Sequence, residues 1–252
     1  MLVNLNDVLI PARRGKYAVG LFNTVNLELA RGVMEAAGEL DSPVIIGTAE
    51  VLLPYGPIED LANLLIPMAE RASVPVVVHL DHGLKEETCR QALDLGFSSI
   101  MYDCSTMEYE ANIEHVKRMA ETAHACGASI EAELGHVGDN GGEDPSLFYT
   151  DSAQARDFIE RTGADALAIA VGTAHGAYKL PPKLDFNRIT EIAENIPTPL
   201  VLHGGSGLSD SDFRTAVERG ISKVNIFTDI NQACARAAAL GYREGMGLTD
   251  II

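Results

Sequence analysis

Basic residues are in short supply: 19 Lys and Arg stand against 36 Asp and Glu in 252 residues, a formal charge of −17. Such a surface repels nucleic-acid phosphates and argues against a DNA- or RNA-binding role, though a locally positive site for an anionic small molecule is compatible with it. Cysteine is scarce too. Cys89, Cys104, Cys126 and Cys234 form no CxxC pair and no short secreted framework, so reduced thiols in a cytoplasm are the simpler reading. No apolar run reaches the length of a membrane span, and the N-terminus lacks a signal peptide's basic-then-apolar order. The expectation is a cytoplasmic protein with no membrane contact. No GxGxxG turn follows the first apolar run, which weakens a doubly wound dinucleotide fold.

What is present is repetition. With 46% hydrophobic and 22% charged residues, the chain can build a large core. Four segments share one design: "ETCRQALDLGFSSIMYD", "VKRMAETAHACGASIEAE", "RDFIERTGADALAIAVG" and "FRTAVERGISKVNIFTD". Each is an amphipathic helix, a glycine, then a short apolar strand. Gly96, Gly127, Gly163 and Gly220 stand where a helix C-terminus calls for a left-handed residue. The continuous apolar runs after them suit strands buried on both faces of a parallel sheet. "SPVIIGT", "SVPVVVHLD" and "NIPTPLVLHG" use proline as the stop signal instead. Strands are predicted near 17–22, 43–47, 75–80, 98–103, 128–133, 166–171, 199–203 and 222–226. Eight βα units without a linker-like break point to one (β/α)₈ TIM barrel, an α/β fold spanning 1–252. Two connections are long: 136–151, glycine- and acid-rich like a lid, and 172–185.

In such a barrel the C-terminal strand ends carry the chemistry. Polar residues collect there: Asn23, then Asp81 and His82, Asp103, Glu131 and Glu133, His175 in the sixth loop, His203, and Asn225 with Thr228. A lone histidine is more often a hydrogen-bonded core or surface residue than a ligand. His82, His175 and His203 at three equivalent strand ends instead suit a catalytic zinc set with positions left open. His79 is expected to point away or to support the site from behind, while His115 and His124 fall in a helical pattern. Asp81 is a plausible acid/base beside a metal, or a carboxylate orienting an imidazole. Asp103 and Glu133 could hold a second cation or be buried structural acids. In "HGGSGLSDSDF", Gly204, Gly205 and Gly207 free the backbone to approach a phosphate and Ser206 adds a hydroxyl. The next helix, with Ser209 as N-cap, brings its positive end near, and "NIFTD" would complete the cradle.

These stretches resemble the class II, zinc-dependent fructose- and tagatose-bisphosphate aldolase family. "YAVGLFN", "SPVII", "VHLDHG", "SSIMYDCS", "EAELG", "ALAIAVGTAHGAY", "PLVLHGGSGLSD" and "KVNIFTD" run in family order across nearly the whole chain, and are more similar to the tagatose-type, ketose-bisphosphate branch. The resemblance implies a lyase cleaving a phosphorylated ketose reversibly into dihydroxyacetone phosphate and an aldehyde. It implies catalytic Zn²⁺ on His82, His175 and His203, with Asp103 and Glu133 matching acids at a second divalent position. Asp81 matches the proton donor and acceptor. Gly176, Lys179, Gly204, Gly205, Ser206, Asn225, Ile226, Phe227 and Thr228 match the segments that hold dihydroxyacetone phosphate. A monovalent cation (Na⁺ or K⁺) would lie near Ala174, Gly176, Gly204 and Ser206, and a homodimer or homotetramer is expected. Three departures stand out. The lid acid falls in "GDNGGEDPS", where Glu143 is the choice and Asp139 and Asp144 are alternatives. Phe227 replaces an aspartate of the fructose enzymes. The chain stops at "GMGLTDII" where relatives continue, so the family's C-terminal helices are expected to be missing.

Three rivals compete on the same residues. A Schiff-base aldolase would need a desolvated lysine in the barrel, for which Lys223 is the candidate. A metal-dependent hydrolase would use the same zinc to activate water. A non-catalytic sugar-phosphate binding protein would need neither Asp81 nor three histidines.

Overall fold

The computed structural model describes residues 1–138, 148–176, 178 and 182–251. An opening helix, α1 (Leu5–Gly15), precedes eight alternating pairs: β1 (Val19–Asn23), α2 (Leu27–Glu39), β2 (Val44–Ala49), α3 (Ile58–Arg71), β3 (Val76–Gly83), α4 (Glu86–Asp94), β4 (Ser99–Tyr102) and α5 (Tyr109–Ala125). They continue as β5 (Ser129–Leu134), α6 (Ser152–Thr162), β6 (Ala166–Ile169), α7 (Phe186–Asn195), β7 (Leu200–Leu202), α8 (Asp210–Arg219), β8 (Ile221–Ile226) and α9 (Thr228–Gly241). The strands are parallel and close into a barrel in sequence order, β8 pairing with β1. This is the expected (β/α)₈ barrel. All eight predicted strands are there; β3 runs three residues further than predicted, through Asp81 and His82. The four repeat glycines have φ of 95°, 74°, 70° and 130° at Gly96, Gly127, Gly163 and Gly220, which a side chain would resist.

Strand alternation separates two cores. Outward-facing residues such as Val76, Val78, Leu80, Ile100, Ile130 and Leu202 pack under the surrounding helices. Inward residues at the bottom (Val19, Leu21, Ile45, Val77, Ala166, Ala168 and Val201) meet Leu5, Val8, Leu9 and Ala12 of α1. Those four recur at i, i+3, i+4 and i+7, one helical face, and α1 uses it to plug the barrel floor. The sequence reading did not anticipate this helix. Asn4 caps it, with Asp7 completing a reciprocal capping box, and Arg13 ties it to the carbonyls of Ala193, Ile196 and Thr198. With the floor closed by hydrocarbon, polar chemistry is confined to the upper layers and the mouth.

None of the four cysteines is paired in a disulfide. No helix among the described residues is long and apolar enough to cross a membrane.

Candidate active site

Asp81 and His82 set the geometry. Successive strand residues point to opposite faces, so Val77, His79 and Asp81 share the inward face of β3 while Leu80 faces the helices. His82 would follow Leu80 outward. It does not, because its φ is +41° and the β3–β4 register shifts between Leu80 and Gly83. A non-glycine residue at positive φ is strained, and such strain persists where surrounding structure enforces it. Gly83 is part of the enforcement: a Cβ there would lie 2.5 Å from Cys89 Sγ and 2.7 Å from the Met101 carbonyl oxygen. The kink brings consecutive residues to one rim.

Three imidazoles meet there. His82 Nε2 lies 2.7 Å from His203 Nδ1 and 3.1 Å from His175 Nε2. The rings stand nearly perpendicular to one another, at 80° to 85°. Nitrogens this close can share one proton or one ion but cannot all carry protons. The far nitrogens of two rings are held by carboxylates, His82 Nδ1 by Asp103 Oδ2 at 2.8 Å and His203 Nε2 by Glu131 Oε1 at 2.8 Å. Such partners fix ring orientation and tautomer behind a metal-binding nitrogen. The donor set therefore fits a divalent ion of the zinc type, three imidazoles with further positions open. Sequence reasoning placed these three together correctly.

A second group, His82, Asp103 and Glu133, also brings ligand atoms within 4.8 Å of one another. Glu133 is completely buried; Oε1 accepts from Val137 N at 2.9 Å, and Oε2 has no hydrogen-bond partner among the described residues. Burial raises the Glu133 pKa, against hydrogen bonding from His136. An orphaned buried carboxylate oxygen calls for a cation or a proton.

Asp81 is clamped by two amides, Asn225 Nδ2 on Oδ1 at 2.9 Å and Asn23 Nδ2 on Oδ2 at 2.7 Å. Burial opposes its charge, but His82, His203, Lys223 and the Asn23 hydrogen bond outweigh burial and hold its pKa at about 2. Burial alone would lower the His82 pKa; Asp81, the Asp103 hydrogen bond and Glu133 push it up to about 10 instead. His203 goes the other way, well below its ordinary value, through burial and the neighbouring His82.

Beneath these residues lies a polar layer that the sequence reading underrated. Lys223 and Glu131 are both fully buried and paired at 2.7 Å, and Lys223 also donates to Asn225 Oδ1 at 2.8 Å. One chain of contacts thus runs from His203 through Glu131, Lys223 and Asn225 to Asp81. Lys223 is fully buried and held by Glu131 and Asn225 beneath the cavity, which argues against a Schiff-base role for it. Glu131, noticed only as a polar strand end, is the support for His203. His79 does not point away from the barrel: it faces inward in the same layer, with Nδ1 2.8 Å from Ser99 Oγ. Period-two counting from Asp81 would have found this.

The mouth encloses a cavity of about 420 Å³. Gly204, Gly205 and Ser206 line it beside Asn225, Ile226, Phe227 and Thr228, with Gly176 alongside. Gly204 has φ +67°, and a Cβ there would lie 2.3 Å from the Ala174 carbonyl oxygen. Tyr178, which the sequence reading passed over, bridges the same two loops: its hydroxyl accepts from Ala174 N and donates to Gly204 O, each at 2.8 Å. Ser209 caps α8 as expected, but in a closed box with Asp212. The helix that opens onto the cavity is α9, whose N-cap Phe227 makes no side-chain cap. Of its first N–H groups, Asp229 N donates to Ser206 Oγ at 3.2 Å, which ties the start of α9 to the glycine-rich turn, whereas the start of α8 does not line the cavity. Asp229 holds the turn by accepting from Gly207 N at 3.0 Å. His136, also unanticipated, lines the cavity with Nδ1 2.9 Å from Ser105 Oγ. Lys179, Glu143, Asp139 and Asp144 lie outside the described residues.

The chain is similar to known proteins in sequence and fold. The family described as fructose-bisphosphate aldolase class-II matches residues 3–247. YdjI of Escherichia coli K12 is 42% identical over 220 residues, covering 86% of this chain and 79% of that protein. Fructose-bisphosphate aldolase of Geobacillus stearothermophilus is 41% identical over 243 residues, covering 94% and 84%. The crystal structure described as the YdjI aldolase superposes with a TM-score of 0.90 at 36% identity, over 100% of this chain and 90% of that one. The chain belongs to the class II fructose-bisphosphate aldolase family, and its activity is that of an aldehyde-lyase.

Proposed function

We propose that this protein catalyses reversible aldol cleavage of a phosphorylated ketose, with dihydroxyacetone phosphate as the donor half and an aldehyde as the acceptor half. The carrying observation is the convergence of three ring nitrogens, Asp81 and a glycine-rich turn on one cavity. His82, His175 and His203 would hold Zn²⁺, and Asp103 and Glu133 a second divalent cation at the orphaned Glu133 oxygen. Bound there, the ion supplies Lewis acidity for the charge that develops on substrate oxygen. Gly204, Gly205, Ser206 and residues 225–228 take the phosphate at the start of α9, with Gly176 beside them; Lys179 is our further choice for a phosphate contact. The anchored phosphate fixes where the reacting carbons lie. Asp81, ionised and aimed by Asn23 and Asn225, accepts the hydroxyl proton in cleavage and returns it in condensation. Glu143 is our choice for the acid that exchanges the carbon-bound proton. A monovalent cation fits at the carbonyls where the Ala174 and Gly204 loops touch. We place the reaction in the cytoplasm, in keeping with four unpaired thiols.

Deuterium exchange into dihydroxyacetone phosphate by the Zn²⁺-loaded protein, without any aldehyde, is the direct experiment. Exchange that disappears with EDTA and returns with Zn²⁺ is expected. No exchange in loaded protein would remove this reading.

A further inference from the structure

Among the largest fully buried side chains is a lysine, Lys223, that no step of the proposed reaction uses. Its register partners across β1 and β8, and across β7 and β8, are Val19 and Val201, both residues of the hydrocarbon floor. The stem therefore starts at floor level and the ammonium reaches the polar layer above. There Nζ lies 2.7 Å from Glu131 Oε2 on β5 and 2.8 Å from Asn225 Oδ1, two residues along its own strand. Glu131 is itself fixed by His203 Nε2 at 2.8 Å, so the cation is held from two sides of the barrel.

A buried ion pair seldom stabilises a fold more than hydrocarbon of the same volume would. What this one fixes is the orientation of an amide. Asn225 stands between the ammonium and Asp81: its Oδ1 accepts from Lys223 Nζ, and its Nδ2 donates to Asp81 Oδ1 at 2.9 Å. Turned end for end, the amide would set its N–H₂ group against the ammonium and its oxygen against the carboxylate, two repulsive contacts. Asn23, the other clamp on Asp81, has no such tie. Its Nδ2 donates to Asp81 Oδ2 at 2.7 Å, while Oδ1 has no hydrogen-bond partner among the described residues. One clamp is thus set from behind, by Lys223, and the other by Asp81 itself.

We propose that Lys223 is a positioning residue for the proton transfer at Asp81, acting through Asn225. With the amide oxygen taken by the ammonium, the donor end stays on the carboxylate in both directions of the reaction, and Asp81 stays aimed at the substrate hydroxyl. The proposal rests on the aldolase reading above. In that reading Asp81 moves the hydroxyl proton while a different acid exchanges the carbon-bound one. Carbon–carbon cleavage should therefore need Lys223, and proton exchange at carbon should not.

The test measures both steps at saturating Zn²⁺. Cleavage is followed on whichever of fructose 1,6-bisphosphate, tagatose 1,6-bisphosphate and fructose 1-phosphate the unsubstituted protein cleaves fastest. Lys223→Met keeps the stem and removes the donors; it should lower kcat for cleavage about tenfold or more. Deuterium exchange into dihydroxyacetone phosphate and the Kd for inorganic phosphate should stay within about twofold. Parallel loss of cleavage and exchange, unchanged cleavage, or a weakened phosphate Kd overturns the proposal, as does exchange without cleavage of any of the three ketoses by the unsubstituted protein. Absence of exchange in the unsubstituted protein overturns the aldolase reading instead. Because Lys223→Met leaves Glu131 buried without its cation, Glu131→Gln is also compared with Glu131→Gln/Lys223→Met. The double variant should resist urea better yet cleave about tenfold more slowly or worse. A lysine with a merely structural role gives the opposite, the more stable protein being the more active. In an Asp81→Asn background the lysine substitution should cost less than about twofold further, since both act on one step; fully additive losses overturn the route through Asp81.

Discussion

Asp81 and His82 are consecutive residues of one strand, yet both face the barrel mouth, because His82 sits at φ +41° where β3 slips its register against β4. An unbroken strand would turn one of them to the helices. The kink brings an ionised carboxylate and an imidazole together, held by separate partners: Asn23 and Asn225 for Asp81, Asp103 for His82.

Replacing His175 with alanine should abolish aldol turnover and metal content together. Two imidazoles remain, too few for a stable site of this type. His175 is only half buried, so far-UV circular dichroism should be unchanged. Elemental analysis of the purified variant is the check; full metal content with full turnover would remove the site assignment.

Asp81→Asn should lower kcat by about 10²–10⁴-fold, the range of a lost acid–base group, with metal content retained. Because the Asp81 pKa is held at about 2, its protonation should not produce an acid limb in kcat/KM between pH 5 and 8. A limb in that range that vanished specifically in the variant would contradict the assignment.

Metal binding should release about one proton per ion near neutral pH, since the His82 pKa stands at about 10 in the metal-free protein and the ligand nitrogen must be unprotonated. Apparent affinity then rises with pH, about tenfold per unit from this proton until pH approaches 10. The folded-state pKa lies above the unfolded value, so protonated His82 stabilises the metal-free fold fully below about pH 6.5. That contribution fades as pH climbs through 10. Titration calorimetry in buffers of different ionisation heat reads the proton count; no buffer dependence would refute it.

Glu131→Gln should cost about 3–5 kcal/mol of stability, because Lys223 is left buried and charged without its partner. Metal affinity should fall about 10–100-fold as His203 loses its carboxylate. Adding Lys223→Met should recover much of the stability but not the affinity. Urea unfolding with metal titration separates the two effects.

Gly204→Ala should raise the Kd for inorganic phosphate and the KM for the phosphorylated substrate at least tenfold. Its Cβ would collide with the Ala174 carbonyl oxygen at 2.3 Å in a left-handed backbone. A compensating loss of kcat with unchanged KM would place the glycine outside the phosphate wall.

The sequence by itself determined the barrel and the rim. Apolar runs after capped helices fix a parallel sheet buried on both faces, and that arrangement delivers strand-end residues such as His82, Asp103 and His203 to a common edge whatever else the chain does. Local patterns could not place residues that act across the barrel. Glu131 looked like one acid among many until closure set it against both His203 and Lys223. α1 showed only an ordinary amphipathic stripe until the floor it fills was formed. Tyr178 has no visible role until the β6 and β7 loops meet. Periodicity reports which way a side chain leaves its own backbone. What it meets depends on strands far away in sequence, and only their packing decided the anchors of the imidazoles and the opening of α9 rather than α8 onto the cavity.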